Sequence, residues 1–486
     1  MNTFSKGTVG LATARLVTQI LGMLNTMLLS RASSLQEYGT YSQIFVIINL
    51  SVSIVGMGLP DSINYFLARH EENKKHFVSC YISLITTLSV IVGILSIVII
   101  PVYARYFNNI DLVNYGYMML LLPWSTLMLS SADTIFVSEN RVKWLMLLKI
   151  VNSVINVSLA LLFCLDLLYF NHYLIFYVSG QLALTLVVIL LIYKLYYGLT
   201  FKLNYATVCQ IMKISVPIGL AGIAGMLKTE MDKLVIGKFY STDKMAVYSN
   251  VSKELPIAIL SAVISTMAFP QIAKLVKNRK MNEAIKAWGD LTIVSLAITG
   301  FFIAGVFVFA KEAIVFLYSE KYVTGISVFR IYLLVLVFRI TYFGIILNSM
   351  GETKSILKCT IISLVCNVAL NYILYFLIGF EGPAIATWIA SAVAACSQLI
   401  ITSKKSSIKF SKVLPWKDLL FVLGINVVFA LFFWMLKVFL CTIWHIGEVS
   451  KAFILATVWA MCYFVIMYKY LKKHWSMATN EMEQDG

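Results

Sequence analysis

Charge is scarce in this chain: 13% of its 486 residues are Asp, Glu, Lys or Arg, while 60% are hydrophobic. So little polar surface cannot cover a soluble globule of this size, which excludes a water-soluble fold. Histidine is almost missing. His70, His76, His172, His445 and His474 all fall in expected loops or ends, so a histidine proton relay inside the membrane is not expected. The eight cysteines lie in or beside apolar runs without Cys-x-x-Cys spacing, which argues for packing against a disulfide framework or a bound metal. Long loops are lacking too: no connection exceeds about a dozen residues, so no separate extramembranous domain fits. There is no HExxH, no Walker A loop and no GxSxG, and no cofactor is implied; an enzyme is not expected.

What the chain does have is apolar length. Uncharged runs such as 77–104, 112–132, 173–193, 291–310 and 382–403 can each cross about 30 Å of hydrocarbon. Spans are expected near 8–30, 41–66, 77–104, 112–137, 145–168, 173–194, 209–237, 246–273, 288–310, 327–350, 355–379, 383–403, 418–440 and 450–470. The first carries Arg15 and no small-residue cleavage site, so it reads as an uncleaved membrane helix. The net charge of +16 comes from Lys and Arg that alternate between loops. With fourteen spans the basic excess falls on one side, which places both termini in the cytoplasm and makes nucleic acid an unneeded explanation.

The residues around 228–248, KTEMDKLVIGKFYSTDKMAVY, organise the rest. Lys228, Glu230, Asp232 and Lys233 follow directly on the apolar run 214–227. A charge at bilayer depth costs at least about 2.5–3.5 kcal/mol, so these groups are expected in a lined cavity or an internal ion pair. Lys228 and Asp232 are four apart, and a local salt bridge is the simplest reading. Farther upstream, Gly56, Gly58 and Pro60 loosen the second span ahead of Asp61, either as a bend at a cavity or as close helix packing. Asp133 is expected to snorkel or to pair with Arg141.

The halves repeat. Arg31 stands ten residues before Tyr41-Ser42, as Lys238 does before Tyr248-Ser249. Ser138, Lys143, Asn156, Val157 and Leu159 match Ser349, Lys354, Asn367, Val368 and Leu370 at one constant offset. Each repeat holds an even number of spans, so the two run parallel and are related by an axis along the membrane normal. The expected architecture is an all-α integral membrane protein of about 14 transmembrane helices. It has an N-terminal lobe (1–200), a C-terminal lobe (201–405), and two additional helices with a polar tail (406–486). The connector 403–418, rich in Lys with Phe410 and Trp416, reads as an interfacial segment or as a plain positive-inside loop.

RASSLQEYGTYSQ and GMGLPDSINYFLAR in the first half, with MDKLVIGKFYSTDKMAVYSNVSKELP and LNSMGETK…NVALNYILYFLIGFEGPAIAT in the second, resemble a known family. It is that of the polysaccharide biosynthesis (Wzx-type) flippases of the multidrug/oligosaccharidyl-lipid/polysaccharide exporter superfamily. The resemblance covers about residues 5–405. It implies a two-lobed, MATE-like bundle in the bacterial cytoplasmic membrane. Such a protein translocates undecaprenyl-diphosphate-linked oligosaccharide units for O-antigen, capsule or exopolysaccharide synthesis, without covalent chemistry. Membrane lipids are its surroundings, and a polymerase and a chain-length regulator are implied partners.

A sugar-diphosphate head cannot cross bare hydrocarbon, so cationic groups must meet it inside the protein. Arg15, Lys228 and Arg339 are the substrate-binding candidates, with Arg330 nearer the outer end. Asp61, Glu230 and Asp232 are candidates for coupling to protons or sodium. Three alternatives remain: a peptidoglycan lipid-precursor flippase, a drug/cation antiporter on the same fold, and, less favoured, a membrane glycosyltransferase or O-antigen polymerase.

Overall fold

The computed structural model describes residues 3–69, 73–253, 255–441 and 447–483, and every regular element among them is helical. The first half contains α1 (Thr3–Ala32), α2 (Leu35–Gly56), α3 (Leu59–Arg69), α4 (Lys74–Tyr106), α5 (Gly116–Ser138), α6 (Val142–Cys164) and α7 (Phe170–Leu195). Then come α8 (Tyr205–Phe239), α9 (Thr242–Val251), α10 (Ile257–Lys277), α11 (Met281–Val308), α12 (Ala310–Leu317), α13 (Ile326–Val335) and α14 (Ile345–Ser349). The chain closes with α15 (Thr353–Ile378), α16 (Gly382–Ser406), the short α17 (Phe410–Val413), α18 (Trp416–Cys441) and α19 (Glu448–Glu483). Among the described residues, 13 helical segments are long and apolar enough to cross a membrane, and α1 is a further 30-residue helix. Side chains such as Val98, Phe376 and Val465 face outward along these helices, as lipid-facing surfaces require.

The repeat is visible in the element boundaries. α1 ends at Ala32 and α2 begins at Leu35; α8 ends at Phe239 and α9 begins at Thr242, the spacing that relates Arg31 to Lys238. α4 and α11 start at Lys74 and Met281, again at that spacing. A 3-10 turn precedes both α5 (Ile110–Tyr115) and α13 (Glu320–Gly325), and α6 and α15 begin at corresponding positions. α18 and α19 have no counterpart. The start of α2 is fixed by a capping box, in which Glu37 N–H donates to Ser34 Oγ while Glu37 Oε2 accepts from Ser34 N–H at 2.8 Å.

By compactness the chain divides into Met1–Ser249 and Asn250–Gly486. In the first unit α8 lies against α2, α3 and α4. Ser215 Oγ donates to Ser62 Oγ at 2.8 Å, and Gly237 leaves the space that the Phe107 ring fills. Leu59, Ile63, Phe66, Tyr81, Met128, Phe136 and Ile211 form its core. α2 stops at Met57 (φ 30°) and Gly58 (φ 70°) before α3 resumes, so the loosened second span is a true break.

The second unit is built on α11. Its core joins Trp288, Ile293 and Leu296 to Phe433 of α18 and to Trp459 and Tyr463 of α19. Tyr463 Oη donates to Ala297 O at 2.8 Å, so the two additional helices are part of the packed interior. In the connector, the Phe410 and Trp416 rings stack at 5.4 Å and 25°, and Trp416 Nε1 donates to Phe410 O.

The expected spans 246–273 and 327–350 are each broken. The first splits into α9 and α10, the second into α13 and α14 around a 3-10 turn at Leu336–Arg339.

Candidate functional site

The charged stretch forms the last third of α8, where a helical period puts Glu230 and Lys233 on one face. Lys233 Nζ meets Glu230 Oε2 at 3.0 Å, and Asn49 Nδ2 of α2 donates to Glu230 Oε1 at 3.1 Å. Asp232 is almost fully buried, and its Oδ1 accepts from Lys233 N–H at 2.8 Å. Lys228, one turn earlier, is half-buried. Two carboxylates and two ammonium groups thus fall within six residues of α8, Glu230 and Lys233 on one face and Lys228 and Asp232 on another, and burial of the carboxylates demands that their charge be compensated. Asn49 was missed in the sequence, although a lone Asn in the run IFVIINLSV is the signal that could have found it. Arg15 lies in α1 and Asp61 in α3, but both side chains lie outside the described residues.

Arg339 lies in the second unit at the broken helix. After the 3-10 turn, Ile340–Gly344 is irregular, and its backbone groups are taken up by side chains from neighbouring helices. Ser295 Oγ donates to Ile340 O, and Tyr342 N–H donates to Ser265 Oγ at 3.3 Å. Trp288 Nε1 donates to Thr341 Oγ1 at 2.9 Å, which anchors the turn from α11. The stretch follows directly on the candidate span Glu320–Arg339, and irregular backbone beside a membrane helix persists when it is buried in protein or lines a cavity. Here it does both. A cavity of about 520 Å³ is walled on one side by Ala258, Ser261, Ala262, Ser265 and Thr266 of α10. On the other side stand Arg339, Thr341, Tyr342 and Asn348. Arg339 is exposed to this space, and among the described residues no carboxylate lines it.

A second cavity of about 540 Å³ is apolar, lined by Ile303, Phe307, Leu334, Leu423, Val427 and Trp434 with Arg330 at its edge. Arg330 Nε donates to Phe307 O at 3.3 Å and its guanidinium lies 5.3 Å from the Phe307 ring, so it is spent on this wall.

Two smaller expectations are corrected. Asp133 pairs with Lys149 at 2.5 Å across α5 and α6, while Arg141 lies over the Trp144 ring at 5.6 Å. Two turns into α6, Lys149 reaches the carboxylate, whereas Arg141 sits before that helix begins. His474 is not in a loop or tail: it lies inside α19, buried, with Nδ1 2.6 Å from Asp290 Oδ1 of α11. The Tyr470 ring packs on it at 4.6 Å and donates its hydroxyl to Asp418. The helix runs past the expected span end at residue 470, and this polar set together with the buried Ala478 packs its later turns. Among the described residues, no group of three or more His, Cys, Asp or Glu is placed to hold a metal.

Residues 28–327 match the family described as polysaccharide biosynthesis protein, and residues 240–457 match that of the lipid II flippase MurJ. A probable low-salt glycan biosynthesis flippase, Agl15, of Haloferax volcanii is 23% identical over 207 residues, which are 39% of this chain and 41% of that relative. The match therefore spans less than half of that protein. A lipid II flippase MurJ in an inward closed conformation shares the fold with TM-score 0.77 and 16% identity, covering 95% of this chain and 99% of that one. An inward-facing multidrug resistance MATE transporter of the MOP superfamily has TM-score 0.63 and 19% identity, covering 82% of this chain and 98% of that one.

Proposed function

Because the chain belongs to the polysaccharide biosynthesis protein family, we propose that it is a flippase that moves a lipid-linked glycan across a membrane. The observation that carries this reading is the cavity at Arg339: a cation and a wall of hydroxyls where a helix of membrane-spanning length ends, with no carboxylate among the described residues that line it. An anionic, hydroxyl-rich head needs that chemistry, whereas a drug cation would need acidic groups. The substrate of this reading is an undecaprenyl-diphosphate-linked oligosaccharide for O-antigen, capsule or exopolysaccharide. It moves from the cytoplasmic to the periplasmic leaflet of a bacterial inner membrane, with both termini of the chain cytoplasmic. Arg15, Lys228 and Arg339 hold the diphosphate, and the repeats 1–200 and 201–405 move against each other so that the site opens to one side at a time. Residues 406–486 add the two further helices. A polymerase and a chain-length regulator are the partners that would use the product.

Direction follows from charge. An inside-negative potential of 100 mV is worth about 2.3 kcal/mol per charge, so a head with two negative charges gains about 4–5 kcal/mol on moving outward. In addition, Asp61, Glu230 and Asp232 are the carboxylates that would couple transport to protons or sodium.

A second reading, a peptidoglycan-precursor flippase, is favoured by one observation. The MurJ structure is matched along 95% of this chain, while the MATE structure is matched along 82%. Proteoliposomes holding fluorescent lipid-linked sugars decide between these, with an oligosaccharide lipid and a disaccharide-pentapeptide lipid offered separately. Loss of a charge-assisted contact costs about 1.5–3 kcal/mol, so Arg339→Ala, Lys228→Ala and Arg15→Ala are each expected to slow flipping roughly 10- to 150-fold while membrane insertion is kept. Arg15→Lys should retain part of the rate. Wild-type rates in all three alanine variants would remove the cationic site.

A further inference from the structure

The cavity at the broken helix holds more polar groups than its own fold consumes. Ser261 belongs to the cavity wall, and its Oγ, turned away from the space, has no hydrogen-bond partner among the described residues. The hydroxyl of Tyr342 and the side-chain amide of Asn348 line the same space, and neither is engaged by a described residue. By contrast Ser265, Thr341 and Thr266 are already occupied, the first two in pinning the turn and the third in bonding back to Ala262 O. The Tyr342 hydroxyl and the Asn348 amide are open to a partner that enters the cavity, and the buried, unpaired Ser261 hydroxyl reaches one by turning about its Cα–Cβ bond.

Shape points the same way. The wall supplied by α10 consists of Ala258, Ser261, Ala262, Ser265 and Thr266, residues three and four apart on one face, and all are small. Their short side chains hold the wall back and leave about 520 Å³, within the range of pockets that bury a small organic ligand. Phe269 and Phe338 also line it. Gly344 keeps the Tyr342 ring in place, since a Cβ there would come within 3.1 Å of its atoms.

We propose that the unwound turn Ile340–Gly344 and the small-residue face of α10 form a carbohydrate subsite that takes a neutral sugar ring of the transported lipid, beside the charge contact of Arg339. The inference rests on the flippase reading above and adds where the sugar is read. A pyranose offers hydroxyls that both donate and accept, which is what Ser261, Tyr342 and Asn348 require, and an apolar face of C–H groups for the two phenylalanine rings. A phosphate would use Arg339 and leave the three neutral groups unspent. A hydrophobic ligand would leave them unpaired altogether.

The test measures binding to the full-length protein in nanodiscs. The probes are undecaprenyl diphosphate and the same lipid carrying an N-acetylglucosaminyl disaccharide. The wild-type protein is expected to hold the sugar-bearing lipid at least tenfold more tightly. Ser261→Ala and Tyr342→Phe, which each remove one hydroxyl and little volume, should each weaken the sugar-bearing lipid roughly fivefold and leave the bare diphosphate unchanged. Arg339→Gln should weaken both lipids alike. Equal affinity of the wild type for the two lipids, or equal losses on both in the hydroxyl variants, would overturn the subsite while leaving the flippase reading intact. Binding of neither lipid by the wild type would sink both.

Discussion

Glu230→Ala is expected to be among the most damaging single changes in α8. It leaves the Lys233 ammonium without the carboxylate 3.0 Å away and deprives Asn49 of its acceptor. Removing one partner of a buried ion pair costs about 3–5 kcal/mol, and the lower end applies here because Lys233 keeps 22% of its side chain exposed. The check is thermal unfolding of the detergent-purified protein, where the variant should unfold well below wild type or fail to accumulate. Glu230→Gln keeps an acceptor for Asn49 and should fall between. Replacing both partners by similar apolar residues, Glu230→Met with Lys233→Met, is expected to recover most of the stability, since no stranded charge remains. That double variant also separates two roles. Stability with transport retained assigns the pair to folding alone; stability with transport lost assigns the carboxylate to ion coupling.

Much of the architecture was legible in the sequence because the bilayer imposes it. Length and lack of charge gave the membrane helices, and the pairs Arg31/Lys238 and Ser138/Ser349 located the repeat, whose element boundaries fall at those same spacings. The break after Gly56 was legible because Gly and Pro mark it. The break at Ile340–Gly344 was not, because FRITYFG contains no proline, and the groups that open the helix, Ser295, Trp288 and Ser265, lie elsewhere in the chain. Charged candidates were easy to find where charge is rare, yet their partners were not. Asn49, Lys149 and His474 are chosen by which helices touch, and one sequence carries no record of contact. The neutral residues of the Arg339 cavity stayed hidden for the same reason. Serines in an apolar helix look alike whether they bond back to their own turn, as Ser96 does, or belong to a cavity wall, as Ser261 does.

Three glycines in α8 pose the same problem in its sharpest form. Gly219, Gly222 and Gly225 are evenly spaced in GLAGIAGM and look interchangeable. In space they are not. A Cβ on Gly219 would stand 2.1 Å from the carbonyl carbon of Met57, backbone against backbone, at the point where α2 gives way to α3. Nothing lies within 4 Å of a Cβ at Gly222. Gly58 makes the contact mutual: at φ 70° it brings its own Cα close enough that a Cβ would sit 2.6 Å from Ser215 O. No side-chain rotation relieves such a clash, so Gly219→Ala must push α8 off the α2–α3 junction and strain the Ser215–Ser62 hydrogen bond. The expected cost is about 3 kcal/mol, at the top of the usual overpacking range. Gly222→Ala is expected to stabilise by about 0.5–1 kcal/mol, because it restores helix propensity at an open position. Unfolding temperatures of the two variants, measured side by side, should therefore move in opposite directions from wild type. Equal values would mean that α8 does not rest on Met57, and the packing that seats the charged stretch of Lys228 to Lys233 would have to be redrawn.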